Sequence, residues 1–469
     1  MEPPAPADTR RDPFGQRPLY YARAGARFVT ARSVRELATL TGLSPCIDRP
    51  AAARALCGAL ERAEALFAEV RRVPPGHELL PDGRTAAWWQ PPLLRRTGGS
   101  ATEPENAATL ASSARELLSL LREAVRRRLP EAATAACTLS GGIDSGGLLA
   151  IVAKERPRVR AWTLADGSAG DAETESARRL AARPGVEHLE VGVREEDLPD
   201  HAAEAVGACE DLLWNGRAVA MRLFFREVHR AGDTAVLTGT GADEVLCGNP
   251  AGLRSLPDRL RAERALALAL LTPEAAACVP APRLAPPAPE RVDPLVWLQH
   301  LALHTTLPES TLPPESRGAA AEGVDVLLPY LDTDLAAFAL ELPPALRAGG
   351  SVGKLLLREA LRGLVPEGVR TAPKAPRLAP PGGRSPRART KWLDLYQGWL
   401  GRGRVQDLAI LDHRRVSALL EGFRRLGDDD PRRPLQDAVL MRLVSLAVLA
   451  DRPATAGAPV ETAAAGAAG

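Results

Sequence analysis

The chain has no paired cysteines, no long apolar run and no excess of charge of one sign, and it has few aromatics or lysines. Its six cysteines (Cys46, Cys57, Cys137, Cys209, Cys247, Cys278) lie far apart and form no CxxC pair, the pattern of buried free thiols in a reducing compartment. The longest uncharged aliphatic stretches, such as Ala265 to Leu271, fall far short of the roughly 20 residues that a membrane helix needs. Met1 to Arg11 is proline-rich and charged, without the apolar centre of a secretory signal, so a cytoplasmic protein with no membrane contact is expected. Sixty basic residues against 58 acidic leave a net charge of +2, which excludes a nucleic-acid-coating role and leaves room only for local basic patches. At 45% hydrophobic and 25% charged the balance is globular, which excludes wholesale disorder. The scarcity of lysine and aromatics beside abundant alanine, arginine, proline and glycine reads as the bias of a GC-rich genome and carries no mechanistic weight.

At 469 residues the chain has room for about three domains of ordinary size. Arg27–Val34 and Phe67–Trp89 alternate apolar and polar residues around turn signals, so the first segment reads as β-rich. A polar linker over Arg96–Asn106 leads to a helix over Ala107–Arg128. From Thr134 the pattern becomes strand, glycine turn and helix: strands at Thr134–Leu139, Val159–Leu164 and Val186–Val191 alternate with helices at Leu148–Lys154 and Thr174–Ala182. That rhythm predicts a parallel sheet. A further strand, Thr234–Leu237, follows a helix over Arg217–Arg230. Thr272–Pro294, crowded with proline and alanine, reads as an exposed excursion, and Pro453–Gly469 as a disordered tail. His300–Arg362 and Leu393–Asp451 read as mainly helical.

The sharpest chemical signal is Leu139-Ser140-Gly141-Gly142-Ile143-Asp144-Ser145, set between a predicted strand and a predicted helix. Its two glycines lack Cβ atoms, so the backbone can wrap an anion, and the helix that follows adds its positive end. The hydroxyls of Ser140 and Ser145 offer two more donors, and Asp144 a hard oxygen for magnesium. No GK[ST] ending of the Walker A kind is present, so the loop suits pyrophosphate as it leaves. A second loop, Leu237-Thr238-Gly239-Thr240-Gly241-Ala242-Asp243-Glu244, again follows a strand and supplies Asp243 to share a metal with Asp144. Taken alone it is a turn with a helix cap.

The first loop resembles that of the PP-loop ATP pyrophosphatases, which split ATP between its α and β phosphates. With the second loop, the likeness is to the synthetase domain of the asparagine synthetases. Gly323-Val324-Asp325-Val326-Leu327-Leu328-Pro329-Tyr330-Leu331-Asp332 resembles that family's "GVE.R.PFLD", with Arg317 upstream at the position of its arginine. Gly353-Lys354-Leu355-Leu356-Leu357-Arg358 resembles "K..LR", whose lysine faces the reacting α-phosphate. Val369 to Lys374 resembles "V..R.K". The resemblance implies ATP and magnesium as cofactors. It places Ser140, Gly141, Gly142, Asp144, Ser145, Gly239 and Gly241 on the nucleotide and Asp144 and Asp243 on the metal. Lys354, Thr240 and Lys374 would then stand at the reacting centre. Without the motif Lys354 and Lys374 would read as ordinary surface lysines, and the basic stretch Arg377–Arg404 as a solvated loop or a docking strip for an anionic substrate.

Arg11-Asp12-Pro13-Phe14-Gly15-Gln16-Arg17-Pro18-Leu19-Tyr20-Tyr21 resembles the "RD..G..PLYY" strand of the glutaminase domain, and Val70 to His77 with Trp88-Trp89 its end. The cysteine nucleophile of that domain has no counterpart, position 2 being Glu2, and the strands ahead of Arg11 are missing, so no glutamine hydrolysis is expected. The expected fold class is α/β: a parallel-sheet PP-loop (HUP-like) synthetase domain over 107–451 with C-terminal helices, preceded by a small truncated β-rich Ntn-hydrolase-like domain over 1–95 and followed by a tail over 452–469.

Three family residues are replaced: Thr240 stands for the glutamate of "GEG.DE", Leu327 for an arginine, and Ala372 for the arginine of "R.K". These changes fall on the acyl side, whereas the ATP side remains. That pattern resembles the β-lactam synthetases and the lasso-peptide macrolactam cyclases, where a carboxylate is adenylated and a tethered amine closes a ring. The implied partners are a carboxylate-bearing peptide precursor, a leader-peptide-binding protein and a cysteine protease, with no nucleic acid. The alternatives are an asparagine synthetase using free ammonia, a catalytically silent binding subunit and, more weakly, a tRNA-thiolating enzyme. Glu244 and Glu322 offer themselves as bases, though each reads more simply as a structural carboxylate, and no general base is assigned.

Overall fold

The computed structural model describes residues 8–92, 107–165, 172–281, 292–350, 352–373, 383, 385–427 and 429–451. The chain opens with strands β1 (Tyr20–Ala24), β2 (Arg27–Ala31) and β3 (Arg71–Arg72) in an antiparallel sheet of order β2-β1-β3. A hairpin of β4 (His77–Leu79) and β5 (Thr85–Ala87) follows. These strands are shorter than the sequence pattern suggests, and helices Val34–Thr41 and Arg49–Leu56 stand between them. Both helices carry local stop and start signals. Ser33 accepts from the Glu36 amide and Gly42 closes the first helix at φ 72°, while Asp48 accepts from the Ala51 amide ahead of the second.

Beyond helix Ala107–Arg128 the predicted alternation is realised. Strands β6 (Thr134–Thr138), β7 (Arg158–Ala165), β8 (Val186–Gly192), β9 (Ala235–Leu237) and β10 (Asp325–Leu327) form one parallel sheet of order β10-β9-β6-β7-β8. Its middle strand β6 is buried through Ala135, Ala136 and Cys137, as a sheet covered on both faces requires. The chain moves from β6 outward to β8 and returns to β9 on the other side, so the strand order reverses between β6 and β9. In an open parallel sheet the crevice at the carboxyl ends of such a pair is where ligands bind.

The remaining chain is helical, as expected, and the final helix Arg433–Asp451 is buried throughout Val439–Leu449. Its Leu440, Leu443 and Val444 share one core cluster with Tyr20, Leu37 and Leu56 of the first segment and with Trp392 and Tyr396. A second cluster wraps the sheet and takes in Phe14 beside Leu117 and Leu121. Thr272–Pro294 departs from the expected excursion: Thr272 caps a short helix over Pro273–Ala277, and Ala275 is buried against the first core, because the alanines give a small apolar face. Residues 282–291 of that stretch, the linker 96–106 and the tail 452–469 lie outside the described residues. No described helix is long and apolar enough to cross a membrane. Cys57, Cys137, Cys209 and Cys247 are buried free thiols, whereas Cys46 and Cys278 are exposed. Burial pushes the Cys137 and Cys209 thiols up to about 12.

Candidate active site

Both glycine loops leave the carboxyl ends of β6 and β9, adjacent strands, and this alone brings them together. At the first loop Gly141 takes φ 73°, and a Cβ there would stand 2.3 Å from the Glu173 carbonyl oxygen, so only glycine fits. Gly142 caps helix Ile143–Glu155 in extended conformation. Ser176 donates to the Gly141 carbonyl at 2.8 Å and ties the loop to helix Ala172–Ala181. Ser145 is buried. Its hydroxyl accepts from the Ser140 amide at 3.0 Å and lies 2.8 Å from the Ser140 hydroxyl, so this side chain first of all shapes the loop.

The second loop packs directly on the first. A Cβ on Gly239 would lie 3.1 Å from Asp144 Cβ and 3.3 Å from the Ser145 amide nitrogen, and one on Gly241, at φ 92°, would strike Leu331. Thr238, between β9 and the glycines, is buried, whereas Thr240 is half-buried and bonds through Oγ1 to the Glu315 carboxylate at 2.5 Å.

Lys354 completes the arrangement. It precedes helix Leu355–Ala360 in left-handed conformation (φ 59°, ψ 33°), an uncommon state for a residue with a Cβ that marks backbone held by its surroundings. The side chain is 2% exposed, and Nζ lies 2.5 Å from Asp144 Oδ2 and 2.5 Å from Asp243 Oδ1. Burial pushes the ammonium down, but the two carboxylates outweigh it and hold the group up at about 12, so it stays charged. Gly248 and Gly353 make room: a Cβ on Gly248 would sit 2.5 Å from Lys354 Cε, and one on Gly353 would strike the Cys247 carbonyl. Tyr330, from the segment after β10, donates its hydroxyl to the Asp144 carbonyl at 3.0 Å and is itself fully buried. Arg358 holds the Gly353 carbonyl at 2.9 Å.

Asp144 and Asp243 face one point, and Asp144 Oδ1 is buried without a hydrogen-bond partner among the described residues. Two carboxylates with one orphaned oxygen fit magnesium, which takes one or two protein carboxylates and fills its sphere with phosphate oxygens and water. No trio of His, Cys, Asp or Glu suited to an all-protein metal cage occurs among the described residues.

The structure thus brings together Ser140, Gly141, Gly142, Asp144, Ser145, Gly239, Thr240, Gly241, Asp243 and Lys354. Lys374, with Arg377 and Arg384 of the basic stretch, lies outside the described residues. Lys391 pairs with Asp200 at 2.6 Å, and Arg404 lies over Trp399, so these two basic groups have local structural partners. Arg317 turns away from the loops, to the Cys209 carbonyl and Asp211, beneath the Tyr20 ring. Glu322 is held by Arg222 at 2.7 Å, in keeping with a structural carboxylate. Sequence reasoning gave no role to Tyr330, Ser176 or Glu315. Tyr330 at least stood inside a quoted motif, whereas Glu315 has no local signal and is found only through the fold. A surface cavity of about 580 Å³ lined by Thr134, Arg158, Gly185 and Asp233 opens at the amino ends of the strands, opposite the loops.

Residues 116–448 match the asparagine synthase family. Among curated proteins, the chain is 25% identical over 417 residues to a putative glutamine-hydrolysing asparagine synthetase of Mycobacterium bovis, covering 78% of this chain and 63% of that protein. It is 22% identical over 410 residues to the glutamine-hydrolysing asparagine synthetase 1 of Bacillus subtilis, covering 76% and 63%. The human glutamine-hydrolysing asparagine synthetase is 26% identical over 265 residues, covering 54% and 41%. The match therefore spans about 63% of the length of the bacterial relatives. The two glycine loops on neighbouring strands, the lysine that joins their aspartates and the match over 116–448 lead to one conclusion: the chain belongs to the asparagine synthase family.

Proposed function

We propose that the chain is an ATP-dependent carbon–nitrogen ligase that adenylates a carboxylate, releases pyrophosphate and passes the acyl group to an amine. The observation that carries this reading is the convergence of Asp144, Asp243 and Lys354 at the meeting point of two glycine loops. The Ser140–Ser145 loop, with Gly239 and Gly241, would cradle the phosphates through backbone N–H groups at a helix N-terminus. Magnesium held by Asp144 and Asp243 would neutralise charge on the diphosphate. Lys354 places a fixed ammonium where negative charge grows on the phosphorus and on the departing pyrophosphate, an effect worth about 3 kcal/mol or more in a site closed to water. By the family resemblance, Lys374 would also support the phosphates.

The finer reading is a peptide substrate closed into a lasso-type macrolactam, with a leader-peptide-binding protein and a cysteine protease as partners. Its support lies on the acyl side. Thr240 stands where asparagine synthetases carry glutamate, and Leu327 where they carry arginine. Leu327 pairs with Leu237 just ahead of the second loop, and its carbonyl accepts from the Thr238 amide at 2.9 Å. An apolar side chain in place of a guanidinium there removes a carboxylate clamp. A second reading, synthesis of asparagine from aspartate, is favoured by the names of the relatives. The test is exchange of labelled pyrophosphate into ATP by the full chain with magnesium, offered L-aspartate or a carboxylate-bearing precursor peptide. Exchange with the peptide, and loss of one water from it on mass spectrometry, supports the cyclase; exchange with aspartate alone supports asparagine synthesis; exchange with neither, over a wide panel of acids, overturns the ligase.

A further inference from the structure

Helix Ala242–Val245, which carries Asp243, is a single turn, too short to hold its own shape. The carbonyls of Gly241, Ala242 and Asp243 accept from the Val245, Leu246 and Gly248 amides. Those of Glu244 and Val245, at the helix end, accept from one side-chain nitrogen, Gln299 Nε2, at 2.7 Å each. Gln299 comes from helix Pro294–His304 and is 1% exposed. Carbonyls at a helix end need donors from elsewhere, and an amide NH2 group supplies two.

The oxygen of the same amide meets Arg347, whose Nη1 donates to Gln299 Oε1 at 2.5 Å. That bond fixes the oxygen on the arginine side and so aims both N–H groups at the carbonyls. Arg347 is 1% exposed, and its Nε and Nη2 have no hydrogen-bond partner among the described residues. Burial pushes the guanidinium down to about 10, with Cys247 and Asp293 opposing, so it stays charged at neutral pH. A guanidinium buried with so few partners costs stability. It ends helix Pro344–Arg347, and the chain runs on from there to Lys354. Arg347 and Gln299 thereby join the segment that leads to Lys354 to the helix that carries Asp243.

We propose that Gln299 and Arg347 are positioning residues for the metal carboxylate Asp243, a proposal that rests on the ATP and magnesium part of the ligase reading above. Both act through the backbone of helix Ala242–Val245. Gln299 pins the helix end, and Arg347 holds the amide in the orientation that can do so. Magnesium accepts little departure from octahedral geometry, so a carboxylate carried on a loosened turn holds it less tightly.

The test measures the affinity of the full chain for α,β-methylene-ATP, which cannot be split between those phosphates, in excess magnesium chloride and in EDTA. Gln299→Glu keeps an oxygen for Arg347 but brings no N–H to the two carbonyls. Gln299→Met combined with Arg347→Met replaces the pair by apolar side chains, and decides alone should Gln299→Glu fail to fold. Each variant is expected to bind about 10-fold or more weakly in magnesium and less than about 2-fold more weakly in EDTA. The magnesium needed for half-maximal pyrophosphate exchange should rise about 10-fold, with most of the rate regained at high magnesium. A merely structural role moves both affinities together or neither. Either result would overturn the proposal, as would an unaltered chain whose affinity magnesium does not raise. Absence of exchange with every acid is a different result: it removes the ligase reading, while a magnesium effect lost in the variants still upholds the positioning role.

Discussion

Lys354 shows how a single residue type is selected by its surroundings. The chain holds four lysines (Lys154, Lys354, Lys374, Lys391) among sixty basic residues, so arginine serves almost everywhere else. At position 354 a compact ammonium fits between two carboxylates 2.5 Å away on either side, in a channel lined by glycines, and a planar guanidinium does not. Lys354→Met leaves two half-buried carboxylates facing each other without a cation. Its expected cost is about 1–3 kcal/mol of folding stability by denaturant titration, since water reaches both carboxylates, and pyrophosphate exchange should fall about 100-fold or more. Retained exchange would show that the ammonium plays no part in the reacting centre.

Among the elements, helix Pro294–His304 carries a built-in acid sensitivity. His304 at its end packs against His300 with ring centroids 4.3 Å apart. Burial first, then His300, Arg62 and His77, push its imidazole down to about 3. Unfolded histidine titrates near 6.5, so between about 3 and 6.5 the unfolded chain binds one more proton than the folded one. Stability should therefore fall as pH drops below about 6.5, by up to about 1.4 kcal/mol per pH unit from this group, and His304→Gln should flatten that slope in urea titrations at several pH values. Histidine spacing gives no warning of this, because burial decides it.

Other elements were legible in different degrees. The strands of the parallel sheet stood out since each is a short apolar run followed by a glycine turn, and both loops were identified from spelling and setting together. Helices Val34–Thr41 and Arg49–Leu56 were missed although Ser33-x-x-Glu36 and Asp48-x-Pro50 announce them, since alternation of polar and apolar residues around them suggested strands. Glu315 was illegible for a physical reason: its partner Thr240 is 75 residues away, and only the strand order brings them together.

At the scale of the whole molecule, the first segment is not an appendage. Arg72 is buried and binds Glu309 at 2.8 Å, Arg17 pairs with Asp325, and Tyr20 and Leu56 pack in one core with the last helix. A fragment of residues 107–451 would expose that apolar surface, so it is expected to aggregate, where the full chain elutes as a discrete species on size-exclusion chromatography. The paired carboxylates keep a cation between them without any divalent ion, because Lys354 stands there and offsets one of their two charges. EDTA should accordingly abolish turnover yet leave the melting midpoint nearly unmoved. A preparation stripped by chelation would then keep its shape in storage and regain activity on simple addition of magnesium chloride, unlike proteins whose architecture is built around their ion.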